Sequence, residues 1–147
     1  MPQIITAEAP YLKPLPQITA RNAPFWEALR NHRFVVPQCR SCGDFFWAPY
    51  PACRSCQSLN WNYAEVSGRA TVYSFSAIYR GPGAFGADVP YLYTLGQLEE
   101  QPRPCNILAI LEGVAVDDCK IGMPIEIGYV DIPSEDVTMY RWVARAA

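Results

Sequence analysis

Residues 39–56 read CRSCGDFFWAPYPACRSC. The tetrapeptide CRSC opens and closes the stretch. Cys39, Cys42, Cys53 and Cys56 therefore form two Cys-x2-Cys pairs with ten residues between them. Two residues between cysteines let a tight turn aim both sulfurs at one point. Two such turns, brought together by a hairpin, offer four thiolates at the corners of a tetrahedron, which is how Zn2+ is held in closed structural sites. Such a site contributes about 10–16 kcal/mol in small finger peptides, enough to hold a ribbon that has little apolar core. Gly43 suits the turn after the first pair, whereas Gln57 is less usual after the second.

Two other chemistries use the same ligands. A thioredoxin-like redox pair needs one Cys-x-x-Cys beside a helix, and two pairs in a strand-rich region fit it poorly. Four thiolates also hold a single iron in rubredoxin-like electron carriers. The spacing admits iron, and visible colour separates it from colourless zinc. Arg40 and Arg54 sit beside the ligands, either offsetting the net negative charge of a four-thiolate zinc or lying solvated at the surface.

The rest of the composition narrows the setting. A chain of 147 residues suits one domain, or one domain with a small appendage. At this size folding buries about 68–70% of the surface of the unfolded chain, so cross-links are not needed for want of a core. The formal net charge is −2, leaving no basic surplus to neutralise a phosphate backbone. Nucleic acid is therefore disfavoured as the main partner. The N-terminus lacks a charged region followed by an apolar run, and no stretch approaches the ~18 apolar residues of a membrane span. The expectation is a soluble cytoplasmic protein with no membrane partner. Thiols there stay reduced, and paired cysteines mean metal more often than disulfide. Cys105 and Cys119 lack partner spacing and are expected as buried free thiols.

Along the chain, three segments follow one another. Residues 1–33 hold an extended arm and a short helix. Pro2, Pro10, Pro14 and Pro16 rule out a regular helix or a central strand before residue 21. The arm either lies on a partner or hangs as a loose tail. NAPFWEALRNHR then reads as a helix, with Asn22 as its cap, Pro24 in its first turn and Arg30, His32 and Arg33 near its C-terminal end. Phe25, Trp26 and Leu29 share one face, which must dock on its own domain or on another chain. Residues 34–63 hold the ribbon.

Residues 64–147 hold strands at 69–80, 91–99, 105–112, 124–132 and 137–144. In the first, Tyr73, Phe75, Ala77 and Tyr79 alternate like core residues against Val72, Ser74, Ser76 and Ile78. Links at 101–104, 120–122 and 133–136 carry turn residues. Five strands with short links predict a closed OB-type barrel, so the fold class is mainly β.

No catalytic set emerges. The single histidine, His32, reads as a surface residue near the helix end rather than a general base. Residues 81–86, GPGAFG, match G-x-G-x-x-G formally, but Asp88-Val89-Pro90 lead into a strand where a dinucleotide site needs a helix. The run reads as a mobile hairpin loop with Phe85 as its large apolar residue. Loops in this position of an OB fold often carry ligands.

The order of these pieces resembles a family. NAPFWEALRNHRF runs into the cysteine stretch, followed by SGRATVYSFS, a glycine-rich loop, VPYLYTLGQLEE and IGMPIEI. This is similar to the bacterial and archaeal acyl-CoA-associated proteins built of a rubredoxin-like zinc ribbon and an OB fold. The resemblance spans roughly residues 22–144. It implies a non-catalytic accessory subunit of a thiolase-type acyl-CoA acyltransferase complex. The thiolase-fold partner would carry the catalytic cysteine, and this chain would stabilise it and help to form the acyl-CoA channel. By the same resemblance the four ribbon cysteines bind structural Zn2+. Phe25, Trp26 and Leu29 would face the partner, and Tyr79, Arg80, Gly81, Gly83, Phe85 and Gly86 would lie near the coenzyme A thioester. The alternatives from the residues alone are a single-stranded nucleic-acid binder and a rubredoxin-like iron carrier.

Overall fold

A computed structural model describes residues 2–100 and 105–146; the predicted link at 101–104 lies outside them. The chain runs β1 (Ile4–Thr6), α1 (Ala23–Arg30), β2 (Val35–Cys39), β3 (Trp61–Glu65), β4 (Arg69–Ile78), β5 (Tyr91–Leu98), β6 (Asn106–Glu112), β7 (Pro124–Ile132) and β8 (Val137–Ala144). The five predicted barrel strands are β4 to β8. They pair in a ring: β4 with β5, β5 with β6, β6 with β8 in parallel, β8 with β7, and β7 back to β4. The ring closes through only three residue pairs between β4 and β7 and two between β6 and β8, and its strand order is that of an OB fold.

The interior follows the alternation of each strand. Ala70, Val72, Leu92, Leu98, Ile107, Leu111, Ile125, Ile127 and Trp142 are buried and form one cluster. Trp142 sits at its centre, fully buried, with Nε1–H donating to the Ile107 carbonyl at 3.1 Å. Its removal from water is worth about 4–6 kcal/mol at the usual area coefficient. Gly96 makes room for it: a Cβ there would stand 2.3 Å from Trp142 Cζ2.

The first barrel strand departs from the expected alternation. The β4–β5 register slips between Val72 and Ser74, so Tyr73 is a bulge residue. The bulge switches phase. Ala70 and Val72 point inward before it, and Phe75 and Ala77 pack on the core after it. Tyr73 at the bulge stands 53% exposed, and Tyr79, past the end of the strand at Ile78, is 65% exposed. An unbroken period of two had assigned both tyrosines to the core face.

The N-terminal segment is also resolved differently. β1 adds to the barrel as a parallel strand on β7, pairing Ile4 with Tyr129 and Thr6 with Asp131. The start of the arm thus lies on its own domain, not on a partner or loose. Asn22 does not cap α1 by its side chain; its Oδ1 accepts from the Thr19 N–H at 2.7 Å and its Nδ2 donates to the Gln17 carbonyl. At the other end Arg33 N–H reaches Ala28 O and His32 N–H reaches Leu29 O, both at 2.9 Å, the pattern of a Schellman cap. His32 takes the left-handed position (φ 55°) that usually goes to glycine. Its side chain gives the reason: Nε2 meets both Asp131 oxygens, at 2.9 and 3.0 Å, tying the helix end to β7.

Phe25 and Leu29 turn inward and are buried, 2% and 0% exposed. The Phe25 ring meets Trp47 at 4.8 Å, Tyr140 at 5.6 Å and Phe34 at 5.7 Å. The aromatic face of the helix therefore docks on this chain. Burial takes Phe25 and Leu29 out of the expected partner-facing set, and Trp26 stays half-buried beside them.

Candidate metal centre and the glycine-rich loop

The ribbon is a β2–β3 hairpin stem, with Val35 opposite Glu65 and Cys39 opposite Trp61, carrying two turns at its outer end. The turns repeat one another bond for bond. Cys39 N–H donates to Asp44 O, and Cys53 N–H donates to Ser58 O, both at 2.9 Å. Gly43 N–H returns to Cys39 O and Gln57 N–H to Cys53 O, both at 3.0 Å. Each turn closes through a left-handed residue, Gly43 at φ 81° and Gln57 at φ 66°. Gln57, the unusual residue in the sequence pattern, thus performs the backbone task of the missing glycine.

These turns bring the four Sγ atoms within 4.8 Å of one another. Cys39 Sγ lies 3.6 Å from Cys56 Sγ, and Cys42 Sγ lies 3.7 Å from Cys53 Sγ. A tetrahedron with Zn–S bonds of about 2.3 Å has edges of about 3.8 Å, which these two separations match. Backbone N–H groups point at the sulfurs, from Ser41 to Cys39 Sγ at 3.3 Å and from Ser55 to Cys53 Sγ at 3.4 Å. The Cys42 N–H, outweighing desolvation and aided by Ser41, lowers the Cys39 thiol to about 6. Cys42 and Cys56 are instead raised: the Asp44 and Ser58 N–H groups pull them down, but desolvation and the neighbouring sulfurs outweigh this. A bound cation would have to displace their protons. Thiolates are what a metal requires. Cys39 and Cys53 are buried, while Cys42 and Cys56 are exposed at the outer end. Around them only Phe46 joins the buried cluster, with Trp61 packed on it. Four thiolates in this geometry support a structural zinc. Among the described residues this is the group of metal-binding side chains so gathered.

Cys105 and Cys119 are buried free thiols, as expected. Burial pushes Cys105 up to about 12 and raises Cys119 as well, which keeps both protonated and unreactive. His32 is engaged by Asp131, which also accepts from Thr138 Oγ1 at 2.7 Å. The histidine holds structure together at that position.

The glycine-rich run leads into a 3-10 turn, Gly83–Asp88, and then into β5, with no α-helix for a dinucleotide. Gly81 packs against it so closely that a Cβ would stand 2.6 Å from Phe85 O. The Phe85 ring lies 6.0 Å from Tyr91. Lys13 of the arm bridges to Asp88 at 2.6 Å and stands 5.7 Å over the Phe85 ring. The run is thus a folded turn braced by the arm. Tyr79 and Arg80 flank it, exposed, as are Gly83 and Gly86. The helix–β7 clamp and the arm–loop bridge carried no sequence signal, because their partners are 99 and 75 positions apart. Among the described residues no helix is long and apolar enough to cross a membrane.

Residues 26–62 match the family described as the ChsH2 rubredoxin-like zinc ribbon domain, and residues 63–130 match the ChsH2 C-terminal OB-fold domain. The chain is 30% identical over 104 residues to a DUF35 domain-containing scaffold protein of Pyrococcus furiosus, covering 70% of this chain and 74% of the relative. It is 33% identical over 125 residues to a probable enoyl-CoA hydratase alpha subunit of Thermomonospora curvata, covering 84% of this chain but only 38% of that protein. Among solved structures, it resembles a chain of the Ltp2-ChsH2(DUF35) aldolase. That match has a TM-score of 0.74 and 28% identity, covering 88% of this chain and 98% of the other.

Proposed function

Because the chain belongs to the DUF35 family of zinc-ribbon and OB-fold proteins, we propose that it is the non-catalytic accessory subunit of an acyl-CoA-processing complex, bound to a thiolase-fold partner. The observation that carries this reading is the likeness of nearly the whole folded chain to nearly a whole chain of the Ltp2-ChsH2(DUF35) aldolase. The names of the relatives speak of a hydratase subunit and an aldolase, which supports acyl-CoA processing in general. The thiolase-type partner with its catalytic cysteine, and acyl transfer as the reaction, are the finer part of the proposal.

The chain's own chemistry agrees with an accessory role. Four of its six cysteines are gathered for metal, and the other two are buried and protonated. The single histidine is held by a carboxylate. On this reading zinc supplies rigidity to the ribbon. Tyr79, Arg80, Gly81, Gly83, Phe85 and Gly86 present the braced turn to the coenzyme A thioester, and Trp26 remains the aromatic candidate for contact with the partner. Co-expression with a candidate thiolase-fold chain from the same genome, followed by gel filtration, tests the proposal. A single peak containing both chains is expected, and two separate peaks under mild conditions would overturn it.

A further inference from the structure

A groove of about 380 Å³ lies on the outer wall of the barrel. Ile5, Trp26, Tyr93, Leu108, Val130 and Met139 are among its walls, which are chiefly apolar and aromatic. Its size is that of a site for a small organic molecule. The arm forms one side, with Ile5 on β1 and Tyr11 and Lys13 further along.

One polar group in this wall is out of keeping with the rest. Arg141 lies on the outward-facing register of β8, two residues on from Met139, and only 9% of it is exposed. A guanidinium offers five N–H donors, and burying its charge is costly unless it is paired and hydrogen-bonded. Here Nη2 donates to the neutral Oε1 of Gln3 at 2.8 Å. Nε is buried with no hydrogen-bond partner. The nearest carboxylate is Glu112, whose Oε1 stands 3.7 Å from Nη1, too far for a hydrogen bond, on a side chain that is half exposed. Lys13, the other cation of the groove, is already bridged to Asp88.

Nε–H and Nη2–H point the same way from a guanidinium and form the fork that a carboxylate fills with two parallel bonds. The Gln3 side chain fills half of that fork with one neutral oxygen. Gln3 belongs to the arm just before β1 and holds the chain there by its backbone, through the Tyr129 N–H, so its side chain is free to yield. We infer that this groove is a receptor for an amphipathic organic acid. The carboxylate displaces the Gln3 amide from Arg141 and takes both Nε and Nη2, Glu112 turns out to solvent, and the apolar body lies along Trp26, Tyr93, Leu108 and Met139. The groove is lined wholly by this chain, but Trp26, the candidate for contact with the proposed partner, is also one of its walls, so the titration is made on the chain without the partner.

The test compares 4-phenylbutyrate with 4-phenylbutanol by titration calorimetry on the zinc-loaded full chain. The two probes share their apolar body and differ in the group that Arg141 would recognise. The acid is expected to bind about tenfold to a hundredfold tighter, the range for a charge-assisted pair. Arg141→Met should bring the acid down to the affinity of the alcohol. If that variant does not fold, Arg141→Lys keeps the charge, loses the fork, and should narrow the same gap. Gln3→Ala removes the competitor and should tighten the acid without changing the alcohol, a gain that a merely structural arginine would not produce. No binding of the acid at millimolar concentration, equal binding of the two probes, or an unchanged acid affinity in Gln3→Ala would each overturn the inference.

Discussion

Replacement of Cys39 by serine is the perturbation whose consequence can be worked furthest. Cys39 is the ligand that joins the stem to the centre: it ends β2, is 1% exposed, and its Sγ lies 3.6 Å from Cys56 Sγ. Serine keeps the turn but replaces a thiolate by a hydroxyl that does not ionise near neutral pH. If the four ligands share the ~10–16 kcal/mol of a structural zinc equally, each carries about 2.5–4 kcal/mol, or roughly 10²-fold to 10³-fold in zinc affinity. Little else supports the outer end of the ribbon. Its separate cluster has three buried members, Cys39, Phe46 and Cys53, and two of them are ligands. Competition with a chromophoric chelator measures the zinc affinity, and hydrogen exchange reads the order of residues 39–58. The expected result is loss of zinc and of amide protection in the ribbon turns, with the barrel amides still protected. A variant that keeps one zinc per chain at unchanged affinity would refute the tetrathiolate reading. A coloured, iron-loaded wild-type preparation would refute the choice of metal.

Three further outcomes follow from the packing. Gly96→Ala drives a Cβ to 2.3 Å from buried Trp142, and should cost at least the ~1–3 kcal/mol of an overpacked core in urea unfolding; a cost under about 0.5 kcal/mol would mean that the barrel centre is wrongly drawn. Asp131 is pushed up by burial, but the hydrogen bonds from Thr138 and His32 outweigh this and hold its pKa below the usual value. A depressed folded pKa gives stability above the unfolded value of about 3.9 that is lost as pH falls through the folded one. Asp131→Asn should therefore be less stable than wild type at about pH 6, with the difference shrinking as pH falls below the usual carboxylate value, and a gap independent of pH would sink the clamp. Trp26→Ala should weaken assembly with the partner while zinc stays bound, and full retention of the complex in gel filtration would remove Trp26 from the interface.

The parts of this fold that were legible in the sequence are those set by local pattern. The doubled CRSC specified its turns, because two intervening residues fix where the sulfurs point. The strands at 91–99, 124–132 and 137–144 were bounded by turn residues and matched β5, β7 and β8 within one residue. What local pattern does not encode is phase after an irregularity. One bulge residue, Tyr73, inverted the facing of half a strand. Nor does it encode pairing at a distance. Arg141 meets Gln3 across 138 positions and His32 meets Asp131 across 99, and neither residue stands in a spacing that announces it. The helix was read correctly as unable to stand alone, but the choice between its two possible docking sites needed the barrel. Phe34 and Tyr140 complete the aromatic nest that Phe25 fills.

That nest bears on how metal and barrel are coupled. Phe34, Val35 and Val36, at the base of the ribbon stem, belong to the same buried cluster as α1 and the barrel interior. The ligands at the outer end belong to another. The stem is thus anchored by apolar packing that does not depend on zinc, while the two turns depend on it heavily. Removing zinc should loosen the two cysteine turns at 39–44 and 53–58 and leave the helix, the stem base, Phe45 and Trp47 on the main core, and the groove beside Arg141 in place. The organic-acid titration can therefore be repeated on zinc-stripped protein. Retained discrimination between acid and alcohol is the expected result, since the groove residues Trp26, Leu108 and Arg141 all lie outside the ribbon turns. Loss of that discrimination together with zinc would instead mean that the ribbon and barrel form one cooperative unit, against the separation of the two buried clusters.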